Sequence, residues 1–524
     1  MPQYVSAQVL VAGAGTVGLS AAVFLAARGV DVLAVERLQG PQIHPRATGV
    51  GVRTVEILRE FGLDRAVDEV AVDMTAGNLG RITATTLAAA GLPDRPAVRA
   101  RSSRAEGDRA WTPARLRGTC PQNRLDSVLL PAARERGARV EYGVELLSFT
   151  QDADGVTARL SDGRTVRADH LIAADGVRST VRTALGIGLG GPGDLGEPLV
   201  NTLFRADLEH LLGPHRFIAA ELGAGRTRGT LVTLDGRYEW VLHTGAGTET
   251  DADHIRAVLG AGPDLEVEVL SRLPWRVRAL IADRFREGRV FLVGDAAHAV
   301  PPLGAFGMNT GIADAHNLAW KLAAVLRGEA GPALLDSYQD ERRPVAETAL
   351  RQSVLRLTDP ALHWNRGPAG AAARAEAGAL AAEVVQIGYR YDSAAVAGPV
   401  PALPSTEDVA LDLDGAPGSR LPHAWVADGV STLDLVGARF TLFTEAGAED
   451  GGSWQRAADA LGLPVHPVTL PQIPAGGALL ARPDGFVAWR AEAGEQRHLG
   501  PVLRRVLGHD TRLTDRRTAA ARPA

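Results

Sequence analysis

Cysteine is nearly missing from this chain: Cys120 is the only one in 524 residues. A single thiol excludes a disulfide framework, a paired-cysteine redox motif and a cysteine-built zinc site. Lysine is as scarce, with Lys321 the one instance among 56 basic residues, so arginine carries the positive charge. No run of about twenty uninterrupted apolar residues occurs, which argues against a membrane-spanning helix. The first apolar segment lacks a basic leader and contains a glycine turn, so it does not read as a signal peptide, and a cytoplasmic location is expected. A net charge of -5 gives no reason to expect nucleic acid or an anionic membrane as partner. What is present, 45% hydrophobic and 22% charged residues, is the composition of an ordinary globular chain. Its length predicts two or three domains rather than one core.

Val9-Leu10-Val11-Ala12 reads as a buried strand and runs straight into Gly13-Ala14-Gly15-Thr16-Val17-Gly18. A helical pattern from Leu19 to Arg28 follows, Gly29 stops it, and Val30 to Glu36 reads as a second strand. In such a strand–turn–helix–strand unit, Gly13, Gly15 and Gly18 allow a tight turn, close approach of a pyrophosphate and close helix–strand packing. Val17 in the turn and Arg37 just after the strand are further candidate contacts. Glu36 is placed to accept hydrogen bonds from a ribose; its charge would repel a ribose phosphate, so FAD or NAD is expected there rather than NADP. The competing reading is a chance glycine-rich turn.

Far downstream, the apolar run Arg289 to Val293 feeds into Gly294-Asp295-Ala296-Ala297-His298-Ala299-Val300-Pro301-Pro302-Leu303-Gly304-Ala305-Phe306-Gly307-Met308-Asn309. A helical pattern leaves at Asn309 and continues to about Leu326. A strand, a Pro/Gly loop and a helix start leave backbone amides unpaired, a site suited to negative charge. Asp295 is placed to hold a ribityl hydroxyl, Pro301 and Pro302 stiffen the loop, and the amides of Gly307, Met308 and Asn309 are candidates to face a flavin ring oxygen. The two motifs together point to one large anionic cofactor held at both ends, FAD. Asp175-Gly176 ends another strand, His170 to Ala174, where a plain turn explains the residues equally well. His298 invites a general-base or metal-ligand reading, but no second ligand has metal spacing, so no metal is expected and a packing or supporting role is favoured. Trp240, His243, Trp275, Pro301 and Phe306 are candidates for a substrate pocket; core aromatics are the plainer alternative.

Segments from about 190 to 280 are strand-rich, with Asp235-Gly236 between two alternating runs, which predicts an antiparallel sheet. Residues 76 to 110 look like an excursion from the core, 396 to 405 like a Pro-rich linker, and the last dozen like a disordered tail. No internal repeats are visible.

The glycine fingerprint, Asp175-Gly176 and Gly294-Asp295, in that order, resemble the motifs of the class A flavoprotein aromatic hydroxylases, with their para-hydroxybenzoate hydroxylase-like fold. The run Asn309 to Ala323 most resembles the branch that oxygenates aromatic polyketides and related polycyclic phenols. The resemblance implies an α/β fold: a Rossmann-like FAD-binding domain (1–75, 106–185 and 285–395), an inserted, mainly antiparallel substrate domain (76–105 and 186–284) and a C-terminal thioredoxin-like domain (405–512). The last has no cysteine, so a structural or dimer-shaping role is expected of it, and a homodimer is compatible with the pattern. By motif, Arg46 resembles the family arginine near the FAD pyrophosphate, Gln122 the glutamine that touches FAD, Asp175 the aspartate linked to nucleotide and NAD(P)H handling, and Asp295 the ribityl contact. Where the family loop has two glycines, this chain has Gly304-Ala305. The implied reaction is NAD(P)H- and O2-dependent hydroxylation by tightly but non-covalently held FAD through a C4a-hydroperoxide, with NADPH and NADH both open as co-substrate. No catalytic side chain is singled out, because the flavin does the difficult step. Baeyer–Villiger or epoxidising oxygenation, a flavin dehydrogenase or oxidase, and a non-catalytic flavin scaffold remain as alternatives.

Overall fold

The continuous apolar run at the N-terminus forms the centre of the first sheet. In the computed structural model, which describes residues 4–45, 47–74, 77–92, 110–223, 228–365, 367–447 and 451–509, strand β1 (Tyr4–Ala12) is flanked in parallel by β2 (Val32–Glu36) and β3 (Thr165–Ala173). The strands Arg139–Tyr142 and Val290–Leu292 extend the sheet beyond β2 and β3, also in parallel. A parallel strand covered on both faces needs apolar side chains on both, which is why Val9, Leu10 and Val11 are consecutive and fully buried. Helix α1 (Thr16–Ala26) packs on this layer and against helix α2 (Val52–Glu60) through Phe24, which stacks on Phe61 just beyond the end of α2. Helix α3 (Gln122–Glu135) leads into the Arg139–Tyr142 edge strand.

A seven-stranded second sheet is built on β4 (Leu189–Arg205), with β5 (Glu239–Gly245) and β6 (Glu268–Ala282) antiparallel on either side. Side chains alternate between its faces. One face buries Phe204, Trp240 and Leu242 against Phe217 and the helix Ala252–Leu259. The other carries Asn201, His243, Leu273 and Trp275, all but the first only half-buried. The short strand His298–Ala299 pairs with β6, which ties this sheet to the turn after Val290–Leu292. The third layer is a four-stranded sheet of Val465–Val468, Thr441–Glu445, Ala478–Ala481 and Val487–Ala491, in that spatial order.

Two long helices join the layers: α4 (Phe306–Leu326) and α5 (Ser337–Thr358). At their interface with the third layer lies a buried ion cluster. Glu341 accepts from Lys321 Nζ at 2.7 Å, from Asn317 Nδ2 at 2.7 Å and from both terminal nitrogens of Arg482, which also grips Asp484. Trp320 Nε1 donates to Asp484 at 3.0 Å. Burial pushes the Lys321 ammonium down to about 8, although Glu341 pulls the other way; burial would raise the Glu341 carboxyl, yet Arg482 and Lys321 hold it below the usual carboxylate range. The only lysine of the chain is therefore a core residue.

Several expectations need adjustment. The helix starts at Phe306, three residues before Asn309. The front of the expected linker is packed: Val396 and Ala397 are buried, and the Ala397 amide donates to Ala488 O at 2.6 Å. Within the expected excursion, Arg81–Ala84 joins the second sheet as an edge strand, residues 93–109 fall outside the described set, and so does the C-terminal tail. Among the described residues no helix is long and apolar enough to cross a membrane.

Removing one side of a fully buried ion cluster strands its partners. Glu341→Leu should cost about 3–5 kcal/mol of stability in urea or thermal unfolding. A loss below about 1 kcal/mol would mean that the cluster is not coupled to folding.

Candidate active site

The fingerprint turn is fixed by backbone contacts. A Cβ on Gly13 (φ 100°) would stand 2.3 Å from Ala174 O at the end of β3, and one on Gly18 would stand 1.9 Å from Gly13 O. At Gly15 it would meet no protein atom within 4 Å. The glycine there leaves open space at the start of α1, whose N-terminus has neither a side-chain cap nor an acidic residue in its first turn. Glu36 lies beside this opening, accepting from Ala14 N at 3.0 Å and Leu38 N at 3.1 Å, while Arg37 is exposed.

Val17 brings the two motifs together. Its methyls lie 3.0 Å from where a Gly294 Cβ would be and 2.7 Å from that of Gly311. Glycine at both positions lets α1 pass directly over the Gly294 turn and α4. The turn is anchored from beneath: Asp314 of α4 accepts from Gly294 N at 3.2 Å, His298 Nε2 at 2.7 Å and Arg342 Nε at 2.8 Å. Burial would raise the Asp314 carboxyl, but His298 and Arg342 hold it below its ordinary value. His298 is fully buried in this support, so its place is structural. Asp295 is exposed between buried neighbours.

Pro302 is exposed, Gly307 and Met308 are half-buried, and Asn309 is buried. The Asn309 side chain binds the loop before α2, with Oδ1 accepting from Gly51 N and Thr54 Oγ1 at 2.7 Å each and Nδ2 donating to Gly49 O at 3.0 Å. Like α1, α4 starts with no side-chain cap and no acid in its first turn. Ala305 caps it with left-handed backbone, φ 54° and ψ 37°, a conformation in which a Cβ costs about 1–2 kcal/mol. Two uncapped helix starts, Glu36 beside the first, the exposed Asp295 and a buried Asp175 Oδ1 with no hydrogen-bond partner among the described residues fit a long anionic dinucleotide with ribose and ribityl hydroxyls.

The loop after β2 lies between the two ends. Gln122 N, at the start of α3, donates to Ala47 O at 2.9 Å, which sets Gln122 beside the Arg46 segment; Arg46 itself lies outside the described residues. Sequence reasoning missed Asp126, one turn further along α3. Its carboxyl takes a 2.5 Å hydrogen bond from Thr16 Oγ1 under the fingerprint, and burial raises its pKa to about 7 despite that bond. Cys120 is also buried, its thiol pushed up to about 12, so it is inert.

The pocket candidates separate. Trp240 is not a lining residue: it is fully buried on the opposite face of the second sheet, with Nε1 donating to Ala206 O at 3.1 Å. It lies three positions before His243, and an odd spacing on a strand sends two side chains to opposite faces. Phe306 is likewise turned inward, 1% exposed, against Ala349, Val385 and the Arg356 guanidinium. Pro301 is buried, its carbonyl accepting from Ser353 Oγ at 2.6 Å. His243 and Trp275 do share the half-open face, with ring centres 6.1 Å apart. His44, which precedes the Pro45-Arg46 pair, reaches this face through an Nδ1 to Ser271 Oγ contact of 2.8 Å. Asn201, Ser271 and His44 went unnoticed in the sequence, although strand parity with His243 would have found the first.

Two bare helix starts brought together at Val17, joined through His298–Ala299 to a mostly antiparallel sheet with one half-open face, fit a flavin-dependent oxidoreductase. An FAD binding domain family model matches residues 6–353, and an aromatic-ring hydroxylase C-terminal model matches residues 414–509. The chain belongs to the FAD-dependent aromatic-ring hydroxylases. It is similar to tetracenomycin A2 monooxygenase-dioxygenase of Streptomyces glaucescens, at 40% identity over 95% of this chain and 97% of that one. The structure of the flavin-dependent monooxygenase PieE with FAD and substrate aligns at a TM-score of 0.80, 32% identity, 97% of this chain and 100% of that one. The ternary complex of aklavinone-11 hydroxylase with FAD and aklavinone aligns at 0.79, 36% identity, 96% and 99%.

Two outcomes follow from the geometry. Asp126 has a folded pKa above its unfolded one, so its contribution is fully present below about 4 and lost as pH rises through about 7. The stability gain of Asp126→Asn over wild type should therefore grow from pH 4 to 8, reaching about 2–4 kcal/mol by urea unfolding; a pH-independent difference contradicts this. Ala305→Gly relieves left-handed backbone and should stabilise by about 0.5–1 kcal/mol, whereas a destabilised variant would show that the loop tolerates alanine without strain.

Proposed function

We propose that this chain uses NAD(P)H and O2 to hydroxylate a phenolic, polycyclic aromatic compound of the polyketide type. The observation that carries the reading is the half-open sheet face where Leu199, Leu273 and Trp275 stand among the polar Asn201, His243 and Ser271, joined to the loop after β2 by His44. The named substrates of two relatives, tetracenomycin A2 and aklavinone, point to the same chemical class.

FAD bound here would accept hydride and activate oxygen. Gly13, Gly15, Val17 and Gly18 would receive its pyrophosphate at the start of α1, with Glu36 on the ribose and Arg37 at the rim. Asp295 would hold a ribityl hydroxyl. Pro302 keeps the loop stiff, while the amides of Gly307, Met308 and Asn309 would favour negative charge on the reduced ring. Gln122, at the start of α3, would touch FAD, Arg46 would serve its pyrophosphate, and Asp175 would serve the nucleotide side. The protein's further task is to exclude water and hold the aromatic ring, for which the second sheet supplies one wall.

We assign residues 1–75, 106–185 and 285–395 to the cofactor domain, and 76–105 and 186–284 to the substrate domain. Residues 405–512 form a thioredoxin-like support, with a helix between the two parallel strands of its sheet. Lacking cysteine, this support would shape the fold or a homodimer rather than carry thiol chemistry.

The test is coenzyme oxidation by FAD-loaded protein with NADPH and with NADH, in air, with and without a polycyclic phenol. Phenol-stimulated oxidation, with a new aryl hydroxyl in the product by NMR, is the expected result. Lactone or epoxide formation, or turnover without coenzyme, would replace the reading. Asp295→Ala should weaken FAD binding about ten- to a hundredfold by fluorescence titration; unchanged affinity would remove Asp295 from the cofactor contacts.

A further inference from the structure

The half-open sheet face holds a polar pair that the cofactor assignment does not use. Asn201 on β4 lies directly opposite His243 on β5, and its Oδ1 is 2.5 Å from His243 Nδ1. An amide oxygen only accepts, so the imidazole carries its proton on Nδ1 and presents Nε2 as a bare acceptor. Among the described residues none is hydrogen-bonded to that nitrogen. Apolar and polar neighbours share the face: Leu273 is aligned with Asn201, Trp275 with Leu199, and the indole lies beside the imidazole, while Thr230 is aligned with His243 on its other side and Ser271 and His44 lie further along. An unmet acceptor beside Leu273 and Trp275 is a specificity device, because an apolar wall cannot tell two similar rings apart but an unmet acceptor can.

The geometry points to His243 as the residue that selects the substrate: its Nε2 accepts a hydrogen bond from a free hydroxyl on the edge of a fused aromatic ring system packed along Trp275 and Leu273. Asn201 is a positioning residue that keeps the acceptor on Nε2. This inference rests on the proposed polycyclic-phenol hydroxylation and names the feature that such a substrate must carry, an unmasked hydroxyl at the sheet end. Burial pushes the imidazole down to about 4, and His44 on the facing loop acts in the same direction. His44 is the one other titratable side chain acting on it among the described residues. The ring therefore stays neutral, and an acceptor, throughout the pH range in which a flavin enzyme works.

The test uses the FAD-loaded enzyme titrated with 1-hydroxyanthracene and with 1-methoxyanthracene, followed by the change in flavin absorbance. Wild type should bind the phenol at least about tenfold more tightly than the ether. His243→Phe should abolish the preference, and His243→Gln, which restores an acceptor oxygen, should recover part of it. Asn201→Asp places a carboxylate on Nδ1 and raises the imidazole pKa, so the preference should fall as pH is lowered and Nε2 takes a proton; a purely structural asparagine would leave that pH profile flat. Retention of flavin absorbance by each variant shows that it is folded. Equal binding of both probes by wild type, or a preference that survives in His243→Phe, overturns the inference. If wild type binds neither probe, the polycyclic-phenol reading beneath it is what fails.

Discussion

The structure turns on one buried carboxylate. Asp314 accepts from the Gly294 amide, from His298 and from Arg342. Through these bonds it fixes the end of the Val290–Leu292 strand, the loop that follows and helix α5 to a single helix, α4. A buried charge so held is costly to disturb, since each partner would be left with an unmet donor. The loop that carries Asp295 and Pro302 can therefore be short and stiff without being disordered. Next along α4, Asn309 ties the same helix to the loop before α2, and Asn317, Trp320 and Lys321 tie it to Glu341 and Asp484. The helix acts as a spine with the Gly294 turn near its start and the third layer near its end.

Close approach at one place makes this spine useful. Val17 in the first helix rests on Gly294 and Gly311, so the two motifs that are distant in sequence pack directly against each other. Both helices begin without side-chain caps. Their first-turn amides are held in position by packing, and a bound anion would complete them without reorganising the protein. The same rigidity places the half-open face of the second sheet at a fixed distance from the cleft, through the pairing of β6 with His298–Ala299 and the His44–Ser271 contact.

Local constraints were legible in the chain itself. Gly13 and Gly18 are required by backbone clashes within a dozen residues or by the β3 end, and the strand, turn and helix around them have their own patterns. The Gly294-Asp295 turn and its helix could be read for the same reason, although the helix begins at Phe306 because Ala305 adopts left-handed backbone. Long-range partners were not legible: nothing in spacing links Asp126 to Thr16, Asp314 to Arg342, or Lys321 to a glutamate in another helix and an arginine in another layer. The pocket candidates divide for an intermediate reason. Trp240 and His243 were grouped by chemistry, whereas strand alternation, visible in the sequence, already set them on opposite faces.

The decisive measurement is the FAD dissociation constant of reconstituted Asp314→Asn against wild type, with unfolding midpoints recorded for both. A loosened Gly294–Asp295 turn should weaken FAD at least about tenfold in protein that is still folded at the temperature of the titration. A folded variant with wild-type affinity for FAD would show that the buried carboxylate does not organise the cofactor cleft.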